Sequence, residues 1–420
     1  MSNIVSDKQF IEYIDTNNEK SNISICKKLV FYYKTETNYI SYEDNTLLYR
    51  TLNAFKDIEK IIISGNFMNY EHFIMFSKLP NLKRISFEND LIFLEKKNCD
   101  RIIFNDNLEQ IDFNSVSETN PNIHQNIQNL LAKLPTNLKK LFINTEIKLN
   151  IDNLPANLET LVIVGNYPNS LDLLPVHLKE LVLSESAAPY LYDEYSIENP
   201  NYLSNLPANL EKLFIYSYSS SLDNLPKNLK ALKIINFNYK GTHVTLPETL
   251  TSFICYNIKE IKKIYLNNSL EVLILGEINK HFTTQLDLST LPNTIHTLKL
   301  TNYIDKFLDG TYKFPSNLKN LYTHHTIYQN KSNTKSTNSN SNSKDNTDDF
   351  NILDIDLFPK TLENLYLLYY RLDQEYFNGK SDMCDYPKIT IKHGSLKIKF
   401  IQDNTYDYDY LDPNTNYFHF

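Results

Sequence analysis

The chain has no tryptophan, and only seven glycines, four cysteines and four methionines in 420 residues. Seven scattered glycines exclude a glycine-rich phosphate-binding loop, which needs several within a few positions. The cysteines, Cys26, Cys99, Cys255 and Cys384, lie far apart with no C-x-x-C spacing. They read as reduced thiols of a cytoplasmic protein rather than as a disulfide or metal framework. The ten histidines are dispersed and no H-E-x-x-H motif occurs, so no metal centre and no cofactor are expected. The adjacent pair His324-His325 would point to opposite sides of an extended chain. No apolar run approaches the ~18 residues that a membrane helix needs. The opening stretch MSNIVSDKQF lacks the charged and apolar regions of a signal peptide. The formal net charge is −8 with both signs mixed throughout, so no basic footprint for nucleic acid stands out. What the chain does have is 41% hydrophobic residues, 30 tyrosines and 23 phenylalanines, enough to build a core.

One phrase organises the sequence. Leu154 to Ile163 reads LPANLETLVI, and it returns at Leu134, Leu174, Leu206, Leu225, Leu246 and Leu291. Phe314-Pro315 and Phe358-Pro359 open two further copies, and Leu266 opens one without its proline. Ten of the sixteen prolines occupy its second place. Leu161 and Ile163, spaced by two, carry the strand signal, one face in and one face out. Pro155 cannot donate to a sheet and must precede the strand. The Asn in fourth place (Asn137, Asn157, Asn209, Asn228, Asn317) suits a tight bend. A unit this short cannot bury its own apolar side, so stacked units must bury it for one another. The pattern predicts a repeat solenoid.

Residues 1–50 lack the phrase. Ser6 with Gln9 resembles a capping box ahead of Phe10, predicting a short helix over 7–16, and Leu29–Tyr33 reads as a strand. This region is an N-terminal cap or a small module. The array occupies 51–400, beginning at Ile58, Ile61 and Ile63, continuing at Leu79-Pro80 with Leu82, Ile85 and Phe87, and passing through a degenerate unit at Leu108, Ile111 and Phe113. Starts recur at about 20 residues apart, with two long exceptions. The interval opening at Leu174 carries a Tyr-rich, acidic stretch over 184–205, a loop candidate with Tyr190, Tyr192 and Tyr195. The interval opening at Phe314 carries 330–349, nearly all Asn, Ser, Thr, Lys and Asp, which reads as a disordered insertion that the array continues beyond. The tail, 401–420, contains the acidic aromatic run DNTYDYDYLD over 403–412, a frayed or capping end or a short linear motif.

Leu158, Leu161, Ile163 and Asn166 fit L-x-x-L-x-L-x-x-N, as do Ile58, Ile61, Ile63 and Asn66. The units therefore resemble leucine-rich repeats of the short, proline-bearing class. Leu225–Thr245, with Phe237-Asn238, resembles an FNIP repeat, a type found in amoebae and in giant viruses that infect them. Most units lack the Asn after the strand, and Ser184, Tyr218 and Thr323 lie in or near those places. The resemblance implies a right-handed horseshoe, with a parallel β-sheet on the concave face, short extended or 3₁₀ segments on the convex face, and few helices.

If Leu161 and Ile163 face the core, Val162 faces the other way. Repeating that step gives a column of Phe142, Val162, Val182, Phe214, Lys233, Ile254, Ile274, Lys299, Tyr322 and Tyr366. Phe142, Val162, Val182, Phe214, Ile254, Ile274, Tyr322 and Tyr366 would form an apolar stripe on the concave face, and contiguous apolar surface with aromatic anchors marks a protein-binding site. Two other readings stay open: strand propensity alone, or a stripe covered by the chain's own termini or by self-association. The expectation is a monomeric, cytoplasmic, non-enzymatic scaffold with a protein partner, the loop tyrosines being a weaker second site. Alternatives are an adaptor whose residues 1–50 dock to a ubiquitin-ligase-type complex, and a structural, particle-associated protein. No nucleophile with a partner base and no room for a separate ligase domain around Cys384 is found.

Overall fold

The structure is a computed structural model that describes residues 3–5, 28–32, 58–64, 74, 77–87, 102–114, 127–145, 150–165, 170–184, 202–239, 241, 243–258, 263–276, 285–286, 288–300, 312–324, 358–369 and 396–402. The expected helix over 7–16, loop residues Tyr190, Tyr192 and Tyr195, the insertion 330–349 and the run 403–412 lie outside them. The described residues form a parallel β-solenoid with almost no helix, divided between two units.

The first unit carries β1 (Asn3–Val5), β2 (Lys28–Tyr32), β3 (Lys60–Ser64), β4 (Arg84–Phe87), β5 (Gln110–Phe113), β6 (Lys140–Thr145), β7 (Thr160–Gly165), β8 (Glu180–Ser184) and β9 (Lys212–Tyr218) as far as Tyr216. From β2 to β9 every neighbouring pair is parallel. β1 alone runs antiparallel, pairing Ile4 with Phe31. The strand expected at Leu29–Tyr33 is therefore present, shifted by one residue.

The second unit carries β10 (Ala231–Phe237), β11 (His243–Thr245), β12 (Ser252–Ile258), β13 (Lys263–Tyr265), β14 (Val272–Leu275), β15 (Gln285–Leu286), β16 (Thr297–Leu300), β17 (Asn320–His324), β18 (Asn364–Tyr369) and β19 (Lys397–Gln402). β10, β12, β14, β16, β17, β18 and β19 pair in parallel. β11, β13 and β15 form a small parallel sheet from the return segments, and Leu288–Thr290 makes a 3₁₀ turn. β17 pairs with β18 although 39 residues separate His324 from Asn364 in the chain.

The repeating phrase explains each coil. The Leu158 N–H donates to the Pro155 carbonyl at 3.0 Å, and equivalent bonds close the turns at Pro135, Pro175 and Pro207. The proline thus accepts at the head of the turn, where its missing N–H is not needed, and these four prolines are buried. Leu158, Leu161 and Ile163 then enter a core that repeats as Leu178, Leu181 and Leu183 and as Leu210, Leu213 and Ile215, all of them buried.

Asn in the fourth place does more than favour a bend. In the first unit the side-chain amides of Asn107, Asn137, Asn157, Asn209 and Asn228 donate to the carbonyls of Pro80, Asp106, Thr136, Val176 and Ala208, each in the preceding coil, at 2.7–3.2 Å. In the second unit Asn267, in the second place where other units have proline, donates to the Leu250 carbonyl, and the fourth-place hydroxyls of Thr294 and Thr361 donate to the Asn268 and Ser316 carbonyls. This ladder ties coil to coil on the near side of the strand. On the far side, where the resembled repeat has Asn, Tyr218 and Phe237 stack with centroids 6.2 Å apart, both fully buried. The Tyr218 hydroxyl donates to the Ser221 carbonyl at 2.9 Å, which satisfies its polar end.

A second ladder is electrostatic. In the first unit the residue just before each strand alternates in sign: Glu59, Lys83, Glu109, Lys139, Glu159, Lys179, Glu211. Ion pairs join Lys83 to Glu59 (3.5 Å), Lys139 to Glu109 (3.2 Å) and Lys179 to Glu159 (3.1 Å). In the second unit Lys319 pairs with Glu363 (3.5 Å), and the His296 Nε2 lies 3.7 Å from Glu271.

Candidate functional site

Alternation along each strand leaves one face of the sheet for function, the face away from the Leu/Ile core. Two rows of side chains occupy it. Each row is fixed by strand register, so it can be read off the pairing residue by residue.

In the first unit the leading row is Lys28, Lys60, Arg84, Gln110, Lys140, Thr160, Glu180 and Lys212. Four of its first five members are cations, a local concentration that a net charge of −8 conceals. The middle row is Val30, Ile62, Ser86, Asp112, Phe142, Val162, Val182 and Phe214. Asp112 is fully buried there and is bound by its neighbours on the leading row. The Arg84 Nε donates to its Oδ2 at 2.7 Å, and the Gln110 Nε2 donates to its Oδ1 at 2.9 Å. Burial raises the Asp112 carboxyl above the ordinary carboxylate value; the Arg84 charge and the Gln110 hydrogen bond oppose the shift without cancelling it. The sequence reading missed this cluster. Arg84 and Asp112 are 28 residues apart, Asp112 in a unit without the Leu-Pro phrase, and only the register of β4 on β5 makes them neighbours.

The expected stripe residues Phe142, Val162, Val182 and Phe214 do share one column, as the repeat spacing implied. Their exposure differs from expectation. Phe142 and Phe214 are each 3% exposed and Val182 is 0%, so the column is buried within the single chain rather than open to solvent. Neighbours about 4.8 Å away on the adjoining strands flank the members of the column. A Phe142→Ser/Phe214→Ser exchange is therefore a core substitution.

In the second unit the middle row is Lys233, Ile254, Ile274, Lys299, Tyr322, Tyr366 and Lys399. Ile254 and Ile274 are buried like their counterparts in the first unit. Tyr322 and Tyr366 are half-buried and stack face to face, with centroids 4.2 Å apart and an interplanar angle of 8°. Burial, then the proximity of Tyr366, pushes the Tyr322 phenol up to about 12. Beside them runs a polar ladder: the Asn364 amide donates to Asn320 Oδ1 at 2.8 Å, and the Asn320 amide donates to Thr297 Oγ1 at 3.2 Å. Lys233 and Lys299 converge on one ring, their ammonium nitrogens 5.8 Å and 5.7 Å from the Tyr256 centroid. Burial lowers the Lys233 amine to about 8. Gly276 sits against Tyr256 so closely that a Cβ would fall 2.5 Å from the Tyr256 carbonyl oxygen, so glycine is needed there.

Among the described residues no three His, Cys, Asp or Glu side chains gather as metal ligands. No helix among them is long and apolar enough to cross a membrane. Cys255 is fully buried in the core, and burial raises its thiol far above the ordinary range.

No protein-family model matches the chain, and no curated protein matches it. Among solved structures, YopM from Yersinia enterocolitica WA-314 aligns at 16% identity over 74% of this chain and 69% of that chain, with a TM-score of 0.35. TLR13 in its complex with ssRNA13 aligns at 14% identity over 66% of this chain and 55% of that one, with a TM-score of 0.27. These likenesses are too distant to carry an argument. The chain's own parallel strands and repeating Leu/Ile core establish the solenoid.

Proposed function

We propose that this chain is a non-enzymatic scaffold that recognises a protein partner in the cytoplasm, and that it works as a monomer. The recognition surface is the face of the sheet away from the Leu/Ile core. The observation that supports this reading best is the Tyr322–Tyr366 stack: two half-buried aromatic rings, with Lys299 next to Tyr322 in their row on β16. Rigid aromatic anchors beside cations are the usual energetic centres of protein interfaces. The narrower reading of the repeat as FNIP-like rests on Leu225–Thr245, where Phe237 fills the buried place next to Tyr218.

The test is affinity purification from native cytosol with wild type and a Tyr322→Ser/Tyr366→Ser variant that unfolds at the same temperature. A protein recovered by wild type alone supports the reading. Equal recovery by both variants removes this face from consideration and moves recognition to residues 1–50 or to the stretch 184–205.

A further inference from the structure

The polar ladder beside the tyrosine stack does not stop at Thr297. The Asn364 amide donates to Asn320 Oδ1 at 2.8 Å, and the Asn320 amide donates to Thr297 Oγ1 at 3.2 Å. Thr297 Oγ1 in turn lies 2.9 Å from His296 Nδ1. The first two links have a fixed direction, because an amide nitrogen only donates. The third can run either way. A hydroxyl has one proton and two lone pairs, and a ring nitrogen of neutral imidazole donates or accepts according to tautomer.

The other side of the ring decides the tautomer. His296 Nε2 lies 3.7 Å from Glu271 Oε2. A proton on Nε2 faces that carboxylate favourably, whereas a bare Nε2 would set its lone pair against negative charge. Neutral His296 therefore carries its proton on Nε2, and Nδ1 accepts from the Thr297 hydroxyl. Every donor then points the same way, from Asn364 on β18 through Asn320 and Thr297 to His296. Hydrogen bonds aligned head to tail polarise and strengthen one another.

A second proton on the ring reverses the last link. Both nitrogens of an imidazolium are donors, so Nδ1 must then give its proton to Thr297 Oγ1. Oγ1 already accepts from Asn320, so both its lone pairs are filled and its own proton turns away from the ring. Two charged neighbours act on that state. Glu271, on the coil before, favours it. Lys319, on the coil after, opposes it, but its ammonium is drawn to Glu363 at 3.5 Å. Thr297 shares the leading row with Asn320 and Asn364, beside the row of Lys299, Tyr322 and Tyr366. It is 9% exposed, and a hydroxyl proton left there without an acceptor is costly. A carbonyl or carboxylate oxygen of a partner laid on this row would take it.

Resting on the reading of this face as the recognition surface, we propose that His296 is a proton-driven positioning residue for it. Neutral, the ring holds the Thr297 hydroxyl to itself; protonated, it turns that hydroxyl into a donor at the recognition face.

Nitrogen-15 NMR of the full chain, labelled at histidine rings and asparagine amides, tests this between about pH 8 and about pH 5, the range in which histidine usually changes charge. A His296→Gln variant assigns the ring. At the alkaline end Nε2 should be protonated and Nδ1 bare. On acidification the Asn320 side-chain amide should shift with the same midpoint as the His296 ring. Thr297→Ser, which keeps a hydroxyl, should retain that shared midpoint. Thr297→Val should abolish the Asn320 response while the ring still titrates, which a merely structural threonine would not do. A neutral ring with its proton on Nδ1 overturns the proposal. So does a ring that never changes state, an Asn320 amide indifferent to its titration, or a response that Thr297→Val leaves intact. The wild-type spectra alone decide the first three of these, whatever the variants do to folding. No partner protein is used, so failure here leaves the recognition reading standing, and failure to recover a partner leaves this one standing.

Discussion

At the scale of single residues, Asp112 and Cys255 show how the sheet treats polar and reactive groups that it buries on its two faces. Asp112 is held by Arg84 and Gln110, yet burial still outweighs both and leaves its carboxyl above the ordinary carboxylate value. The sign follows from linkage. A folded-state value above the unfolded one gives stability that is full below the ordinary carboxylate value and is lost as pH rises through the raised value. An Asp112→Asn variant removes that loss. Chemical denaturation of wild type and variant should agree near pH 4 or below, and wild type should fall behind as pH rises toward neutrality. A wild type that gains on the variant over that range would mean that the Arg84 pairing dominates. Cys255, shut in the core with its thiol raised, should resist alkylation in native protein and react only after denaturation. Mass spectrometry of the Cys255 peptide after brief iodoacetamide treatment reads this out, and native labelling would contradict the burial.

At the scale of the coil, the sequence announced the strands and hid the ties between them. Leu158, Leu161 and Ile163 gave the core face because period-two alternation after a proline-headed turn has one reading. The same signal placed β6, β7, β8 and β9 in register. It could not say that Val182 is buried, because β-branched residues suit a strand whichever face they occupy. Nor could it give the Asn ladder, since an Asn in a turn looks the same whether it serves its own bend or the carbonyl of the preceding coil. The alternating Glu and Lys before the strands are visible in the sequence once the coils are aligned, but their pairing needs the stack. Asn157→Ala removes one exposed inter-coil bond and should cost about 0.5–1.5 kcal/mol in urea denaturation. Lys139→Glu exchanges the Glu109 ion pair for like charge, with Glu159 in the same ladder position one coil on. It should destabilise by up to roughly 1 kcal/mol, an effect that 1 M salt largely removes. A loss that salt leaves unchanged would point to backbone damage instead.

At the scale of the whole chain, stability in a repeat array is carried between neighbouring coils, so insertions are tolerated where the strands on either side still pair. β17 and β18 do so through Asn320–Asn364, Leu321–Leu365 and Tyr322–Tyr366. Deleting residues 330–349 shortens the connection without touching a paired strand, and should raise stability by on the order of 0.6 kcal/mol through reduced loop entropy. A marked loss would assign that stretch a structural role. The Phe142→Ser/Phe214→Ser exchange should behave oppositely. Each phenylalanine is buried, and truncation of a core aromatic costs roughly 3–5 kcal/mol, so the pair should unfold the first unit.

The central claim is that recognition uses the strand face away from the Leu/Ile core. Hydrogen exchange followed by mass spectrometry, on the full chain with and without the protein that wild type alone recovers, addresses it most directly. Slowed exchange confined to peptides covering β16, β17 and β18, around Lys299, Tyr322 and Tyr366, is the result expected. Slowed exchange confined to the return segments β11, β13 and β15, with β16 to β18 unchanged, would contradict it.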